Sequence, residues 1–345
     1  MRIVHLVCSD RFAGVEQFVL RLAIAQRQAG HEVDVLGGSP ERMPAPLRES
    51  GATWSPAVGL WDGVRALRAL RRTADVVNTH MTNADAAGVL ALGRRGPALV
   101  STRHFASRRG SVLGIPIDAL VRRRVDAEIS ISSAVAAVIG VPSAVVHSGV
   151  PSAPEDARVP TERERVILMA QRLQPEKRTD TGIRAFAASG LAHDGWRLDI
   201  AGDGPLRADL EALVDELGAS DAVRLLGFRE DLPARLERAA LFLAPCEVEG
   251  LGLALIEAMA AGAAPVAAAA AGHLDVLEGL DARSGYRPGE VSDAADALRT
   301  LADDQERRMH LAEQARERAR TEFSLAQQSA RTDDVYRRAI ERRLR

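Results

Sequence analysis

Short runs of β-branched and aliphatic residues alternate with longer stretches of helical periodicity along almost the whole chain. Arg2 to Cys8 reads as a strand, Val15 to Ala29 as a helix stopped by Gly30, and Glu32 to Leu36 as the next strand. Further strands are expected at Asp75 to Asn78, Ala98 to Thr102, Ala127 to Ile131 and Ala144 to Val146. Residues 151–164 lose all periodicity and carry three prolines, as a linker does. The alternation then restarts, with strands at Val166 to Ala170, Arg197 to Ala201, Val223 to Leu226, Leu241 to Ala244 and Pro265 to Ala267. Helical patterns lie between them, near Thr179 to Ala188, Pro205 to Leu217, Leu232 to Ala239 and Leu253 to Ala261, and charged helical sequence runs from about Ser292 to Arg342. Such alternation predicts parallel sheets with helices on both faces. The expected fold is α/β, with two doubly wound domains over 1–150 and 165–320, a linker over 151–164, and a C-terminal helix over 321–345 packing back toward the first domain. Open sheets of this kind bind ligands at the carboxyl ends of their strands, so the ligand site is expected in a cleft between the domains.

With 345 residues and 46% hydrophobic content the chain can fill two cores. A net charge of −2 offers no field to a polyanion, and 3% aromatic residues leave few stacking platforms, which argues against a nucleic-acid partner. Cys8 and Cys246 have no C-x-x-C spacing, so neither a disulfide framework nor a thiolate zinc site is expected, and a reducing cytoplasm fits. The apolar start is cut short by Asp10 and Arg11, too soon for a secretory signal, and no run of 18 apolar residues occurs. The arginines at 65, 68, 71 and 72 and at 122 to 124 read as solvated helix faces, with peripheral contact to an anionic membrane as the alternative. Trp54, Trp61 and Trp196 are expected in the core or at a cleft edge.

Several signatures are missing. A P-loop needs G-K-[ST], and the sole lysine, Lys177, follows Glu176. No G-x-G-x-x-G is completed, no D-x-D triplet occurs to hold a metal, and H-E-x-x-H is absent. What remains lies at strand ends. Arg172 and Lys177 follow the strand Val166 to Ala170 and precede a helix, a placement suited to clamping a pyrophosphate, with a solvated loop as the plain alternative. Every other basic residue besides histidine is arginine, so Lys177 points to a role for a compact ammonium, with chance as the plain alternative. Glu249 falls in a loop and Glu257 eight residues on, inside an apolar helix, where a carboxylate requires partners such as ligand hydroxyls or a core arginine. Gly250 and Gly252 would let backbone N–H groups approach a ligand. His80, at a strand end, suits either the cleft, beside His104, or a structural hydrogen bond.

Taken in order, Gln171-Arg172-Leu173…Glu176-Lys177, Ala201-Gly202-Asp203-Gly204-Pro205, Leu226-Gly227-Phe228 and Glu249-x7-Glu257-Ala258-Met259-Ala260-Ala261-Gly262 resemble the retaining family 4 glycosyltransferases of the GT-B fold. Gly14-Val15-Glu16, Ala29-Gly30-His31-Glu32-Val33, Thr102-Arg103-His104, Ile131-Ser132-Ser133 and Gly149-Val150 extend the resemblance over nearly the whole chain. It implies a nucleoside-diphosphate sugar as co-substrate, with no further cofactor and no metal, and a hydroxyl-bearing acceptor. By the same resemblance Arg172 and Lys177 would neutralise the diphosphate, Gly14 would approach the phosphates, and Glu257 would bond the ribose. Glu249, with the backbone at Gly250, Leu251 and Gly252, would hold the hexose, and His104 would lie near the transferred sugar. Preorganised cations at the leaving diphosphate stabilise the charge that grows there without a metal. The pattern departs at Ala13, where a second glycine is usual, at Ser148, and at Gly272-His273-Leu274-Asp275. The expectation is a metal-independent retaining hexosyltransferase. The alternatives are an epimerase or phosphorylase on the same fold, or a sugar-binding relative without chemistry.

Overall fold

The computed structural model describes residues 1–93, 96–151 and 162–344. They form two compact units, Met1–Gly149 together with Ser324–Arg345, and Val150–Phe323. Most of the stretch read as a linker, 152–161, lies outside the described residues, and Glu164 already belongs to a strand.

In the first unit the strands are β1 (Arg2–Val7), β2 (Glu32–Leu36), β3 (Thr53–Ser55), β4 (Val76–His80) and β5 (Ala98–Arg103). A small antiparallel hairpin, β6 (Ser111–Val112) with β7 (Ile115–Pro116), precedes β8 (Ala127–Ser130) and β9 (Ala144–Val145). The main sheet is parallel and ordered β3-β2-β1-β4-β5-β8-β9. Helices cover both faces, so the central strands read as continuous apolar runs, and Ile3, Val4, Leu6 and Val7 are all fully buried. All six expected strands end within two residues of the observed ones, while β3 and the hairpin are additions to the sequence reading.

The second unit repeats the plan. Strands β10 (Glu164–Ala170), β11 (Arg197–Ala201), β12 (Val223–Gly227), β13 (Ala239–Ala244), β14 (Ala264–Ala268) and β15 (Gly285–Tyr286) make a parallel sheet ordered β12-β11-β10-β13-β14-β15. Its core joins Ile167 and Met169 of β10 to Phe186, Trp196, Leu241 and Leu298. Trp61, expected in the core or at a cleft edge, is 63% exposed on the helix Gly59–Leu70, because that helix turns Val64 and Leu67 inward instead.

The charged C-terminal stretch resolves into the helices Val291–Asp303, Gln305–Glu322 and Leu325–Leu344. The last of these belongs to the first unit and seats Tyr336, fully buried, against β4 and β5. There Asn78 Nδ2 donates to the Tyr336 hydroxyl (2.6 Å), and Thr102 Oγ1 donates to Asn78 Oδ1 (2.9 Å). Tyr336→Phe would strand a buried amide, at a cost of about 1–3 kcal/mol. Urea unfolding should show this as a lower midpoint with an unchanged slope, and an unchanged midpoint would mean that the bond contributes nothing.

Candidate active site

In each sheet the winding direction reverses between two central strands, β1 and β4 in the first unit and β10 and β13 in the second. Loops leaving such a pair at their carboxyl ends diverge to opposite faces and leave a crevice between them. Lys177 lies on the loop after β10 and Glu249 on the loop after β13, and the Lys177 ammonium donates to Glu249 Oε2 over 2.6 Å. The turn that presents Lys177 is closed by Gln171, whose side-chain N–H groups reach the Lys177 carbonyl (3.0 Å) and the Thr179 hydroxyl (2.8 Å). Gly202 braces it from β11: a side chain there would strike the Gln171 carbonyl, and the residue's φ of +140° also suits glycine alone.

Beside the pair, the Cys246 thiol, with a single hydrogen to give, lies within reach of both the Glu176 carbonyl (3.2 Å) and Glu249 Oε2 (3.5 Å). Burial, with the Glu249 carboxylate beside it, pushes this thiol up to about 11, so it stays protonated and supports the loop. Burial alone would raise the Glu249 carboxyl, but the Lys177 ammonium outweighs it and holds Glu249 below the usual carboxylate range. Among the described residues nothing bonds Glu249 Oε1, and two of the three ammonium donors of Lys177 are likewise uncommitted. The loop continues through Gly250 and the buried Leu251 to Gly252 at the start of the helix Leu253–Ala260. Gly252 has φ +99°, and a Cβ on it would lie 2.7 Å from the His273 ring. His273 itself is buried, with Nδ1 donating to the Ala268 carbonyl (3.1 Å). Glu257 sits on the same helix, partly buried. Arg172 does not converge with Lys177 on one partner. It is 69% exposed and approaches Glu176 at 3.9 Å.

The first unit offers a second set. After β1, Glu16 is buried and folds back to accept from the Ser9 hydroxyl (2.6 Å) and the Ala13 amide (2.9 Å), which fixes the loop before the helix Gly14–Gln28. Gly14 opens that helix, and no protein atom lies where its side chain would be. After β4 and β5 a pocket of about 310 Å³ is lined by His80, Met81, Thr82, His104, Arg108 and Arg109, among others. His80 Nδ1 lies 3.0 Å from His104 Nε2, and His80 Nε2 lies 3.1 Å from His5 Nδ1. Burial drives all three imidazoles down, His5 to about 4, His104 to about 3 and His80 well below its usual value. Phe18 packs edge-on against His104 with ring centres 4.7 Å apart.

Thus Lys177, Glu249, Gly250, Leu251 and Gly252 come together in one unit, and His80 and His104 in the other. His80 lines this pocket beside His104 and holds a hydrogen bond with His5. Three residues were missed. His5 lies within the apolar run of β1, Met81 lines the pocket with φ +74°, and Arg109 is buried against Asp85 (2.6 Å) and Glu128 (2.9 Å). Only His5 left a trace in the sequence, as a polar residue inside an otherwise apolar strand.

A family model described as Glycosyltransferase Family 4 matches residues 12–152, and one described as Glycosyl transferases group 1 matches residues 154–318. The exopolysaccharide phosphotransferase SCO2592 of Streptomyces coelicolor is 36% identical over 143 residues, which are 41% of this chain and 15% of that protein. The lipopolysaccharide core biosynthesis mannosyltransferase LpcC of Rhizobium leguminosarum is 26% identical over 344 residues, 94% of this chain and 93% of its own. The chain therefore spans a small part of the first relative and nearly all of the second. Among solved structures, Anabaena HepE in complex with UDP shares the fold, with a TM-score of 0.78 at 20% identity over 97% of this chain and 99% of that one. No helix among the described residues is long and apolar enough to cross a membrane.

Three imidazoles held neutral in the folded state make the protein sensitive to acid. Unfolded histidines take up protons below about pH 6.5 while the buried ones do not, so stability is full above that value and is lost as pH falls toward 4. Each ring that stays neutral at pH 5 costs about 2 kcal/mol there. Urea unfolding followed by circular dichroism at pH 7.5 and pH 5 should show the loss, and equal midpoints would mean that the rings titrate normally.

Proposed function

We propose that this chain, whose two parts match glycosyltransferase family models and whose fold is GT-B, moves a hexose from a nucleoside-diphosphate sugar to an acceptor hydroxyl, with retention and without a metal. The observation that carries this reading is the Lys177–Glu249 pair at the switch point of the second sheet. A carboxylate keeps the ammonium charged and in place, while its other two N–H donors are available to diphosphate oxygens. As the bond between the anomeric carbon and the diphosphate breaks, negative charge grows on the leaving group, and a preorganised ammonium stabilises it more than it stabilises the ground state. Arg172, exposed on the same loop, adds a second cation within reach of the solvent-facing phosphate.

In this reading Glu249 receives hexose hydroxyls at Oε1, and Glu257 receives the ribose hydroxyls from its half-buried place on the helix Leu253–Ala260. A carboxylate committed to Lys177 is a poor nucleophile, so Glu249 serves as a binding group rather than as one arm of a two-carboxylate glycosidase scheme. Within the first unit, the open space at Gly14, at a helix N-terminus, suits a phosphate, and the pocket at His80 and His104 suits an acceptor hydroxyl. UDP in the HepE structure and the mannosyltransferase activity of LpcC agree with a nucleotide-sugar donor.

Thermal unfolding against a panel of nucleoside diphosphates and nucleotide sugars, with EDTA present, tests the donor site. One base is expected to raise Tm by mass action, and Glu257→Ala is expected to abolish that rise. Lys177→Ala should lower hexose transfer at least about 100-fold, as loss of one transition-state charge partner does. Stabilisation or transfer that needs an added divalent cation would remove the metal-free part of the proposal. Donor consumption without any acceptor would indicate an epimerase, and dependence on free phosphate a phosphorylase.

A further inference from the structure

The three buried imidazoles of the first unit belong to a longer chain of hydrogen bonds with one anchored end. His5 Nε2 lies 2.8 Å from Gln26 Oε1, and Gln26 Nε2 donates to Asp333 Oδ1 (3.3 Å) on the C-terminal helix. Asp333 Oδ2 is in turn 2.7 Å from His31 Nε2. A carboxylate only accepts hydrogen bonds, so the Gln26 end that faces Asp333 must be its NH2 and the end that faces His5 its oxygen. His5 Nε2 must then carry the hydrogen, which leaves His5 Nδ1 as a lone pair in the neutral ring. His80 Nε2 must therefore donate to His5, and His80 Nδ1 must accept. His104 Nε2 must donate to His80, and so the lone pair of His104 falls on Nδ1.

No described residue bonds His104 Nδ1, and the ring lines the pocket of about 310 Å³ beside Thr82, Asn83 and Arg108. We propose that Asp333, Gln26, His5 and His80 are positioning residues that fix the tautomer of His104, so that His104 presents Nδ1 to the pocket as a lone-pair acceptor for a substrate hydroxyl. Reversing the chain at any link would set two N–H groups or two lone pairs against each other in a buried site. His5, His80, Gln26 and Asp333 are all buried, so such a clash carries the cost of an unsatisfied buried polar group. The tautomer follows from the hydrogen bonds together with the neutrality that burial imposes on each ring. The part assigned to the hydroxyl rests on the proposed glycosyl transfer.

Nitrogen-15 NMR of the histidine side chains in the full-length protein at pH 7.5 reads the tautomer without turnover, with the His104 signal assigned by its loss in His104→Asn. His104 Nδ1 is expected as the unprotonated nitrogen and Nε2 as the protonated one. The opposite assignment would overturn the proposal. Asp333→Asn keeps the shape of the anchor but can turn its NH2 toward Gln26, letting that amide and every ring after it reverse. The single His104 tautomer should give way to a mixture or to the reversed form. Gln26→Glu is the converse control, since a carboxyl that gives its proton to Asp333 still accepts from His5, and the wild-type tautomer should persist. If both variants perturb His104 alike, the chain is merely packing and the proposal fails. In Asp333→Asn, kcat/KM for the substrate bearing the hydroxyl should fall with the lost fraction of competent tautomer, about twofold where the two forms are equal. A fall seen with varied donor places the hydroxyl on the donor, and a fall seen only with varied acceptor places it on the acceptor. A switched tautomer with unchanged kcat/KM for both substrates would remove the functional role.

Discussion

A parallel sheet whose winding reverses between two neighbouring strands cannot bring the following crossovers to the same face, and the gap this leaves is the constraint on which the chemistry of the second unit depends. Between β10 and β13 the gap is bounded by two loops of unlike character. The loop after β10 is stiff, since Gln171 bridges its ends and Gly202 supports it from the next strand. The loop after β13 is held by Cys246 and by the Gly272 amide, which donates to the Glu249 carbonyl (3.0 Å). With both backbones fixed, the Lys177 and Glu249 side chains meet with little rotamer freedom left to lose. A half-buried ion pair contributes little to folding by itself, because desolvation offsets most of the attraction. Its worth lies in delivering a charged ammonium, already partly stripped of water, to the place where a diphosphate would develop charge.

The first unit meets the same geometry with a different interior. Its outer core is apolar, with Leu6, Leu67, Leu92 and Leu99 packed together, but the carboxyl half of its central strands is lined with polar groups. His5, Asn78, Thr79, His80, Ser101 and Thr102 are buried at or below 1% exposure, and each has a hydrogen-bond partner. Arg109 extends the network: burial alone would lower its basicity, but the Asp85 and Glu128 carboxylates raise it and keep the guanidinium charged. Such groups are costly singly and tolerable only as a complete set. The helix Leu325–Leu344 completes the set, since Asp333 and Tyr336 supply partners that no strand of the sheet provides.

Much of this was legible in the sequence where physics acts locally. Continuous β-branched runs marked the buried central strands, and the unique lysine marked the ammonium that pairs with Glu249. Strand β3 and the β6–β7 hairpin were not legible, because two or three residues carry no periodicity. The tie between the C-terminal helix and the histidines was invisible for another reason: Gln26 and Asp333 lie 307 positions apart, and nothing in either segment names its partner. The glycines mislead in the opposite direction. Gly202 stands within a motif that the sequence reading counts toward a ligand-site resemblance, yet protein backbone alone accounts for it, through the Gln171 carbonyl it must clear. Gly14 is the converse, a glycine that no protein contact requires.

His273 and Gly252 constrain each other behind the Glu249 loop. The imidazole is buried, donates Nδ1–H to the Ala268 carbonyl, and rests against the bare α-carbon of Gly252. Burial lowers its basicity more than the nearby Glu249 carboxylate raises it, so the ring stays neutral and adds no charge under the Lys177–Glu249 pair. Two independent constraints then hold position 252 as glycine, the His273 ring at 2.7 Å and a backbone φ of +99°. Shrinking His273 relieves only the first, and any side chain at 252 still meets the strain of that backbone conformation. The loop that carries Glu249 into the helix Leu253–Ala260 thus depends on glycine at 252 for two separate reasons, one set by the His273 ring and one by the backbone itself.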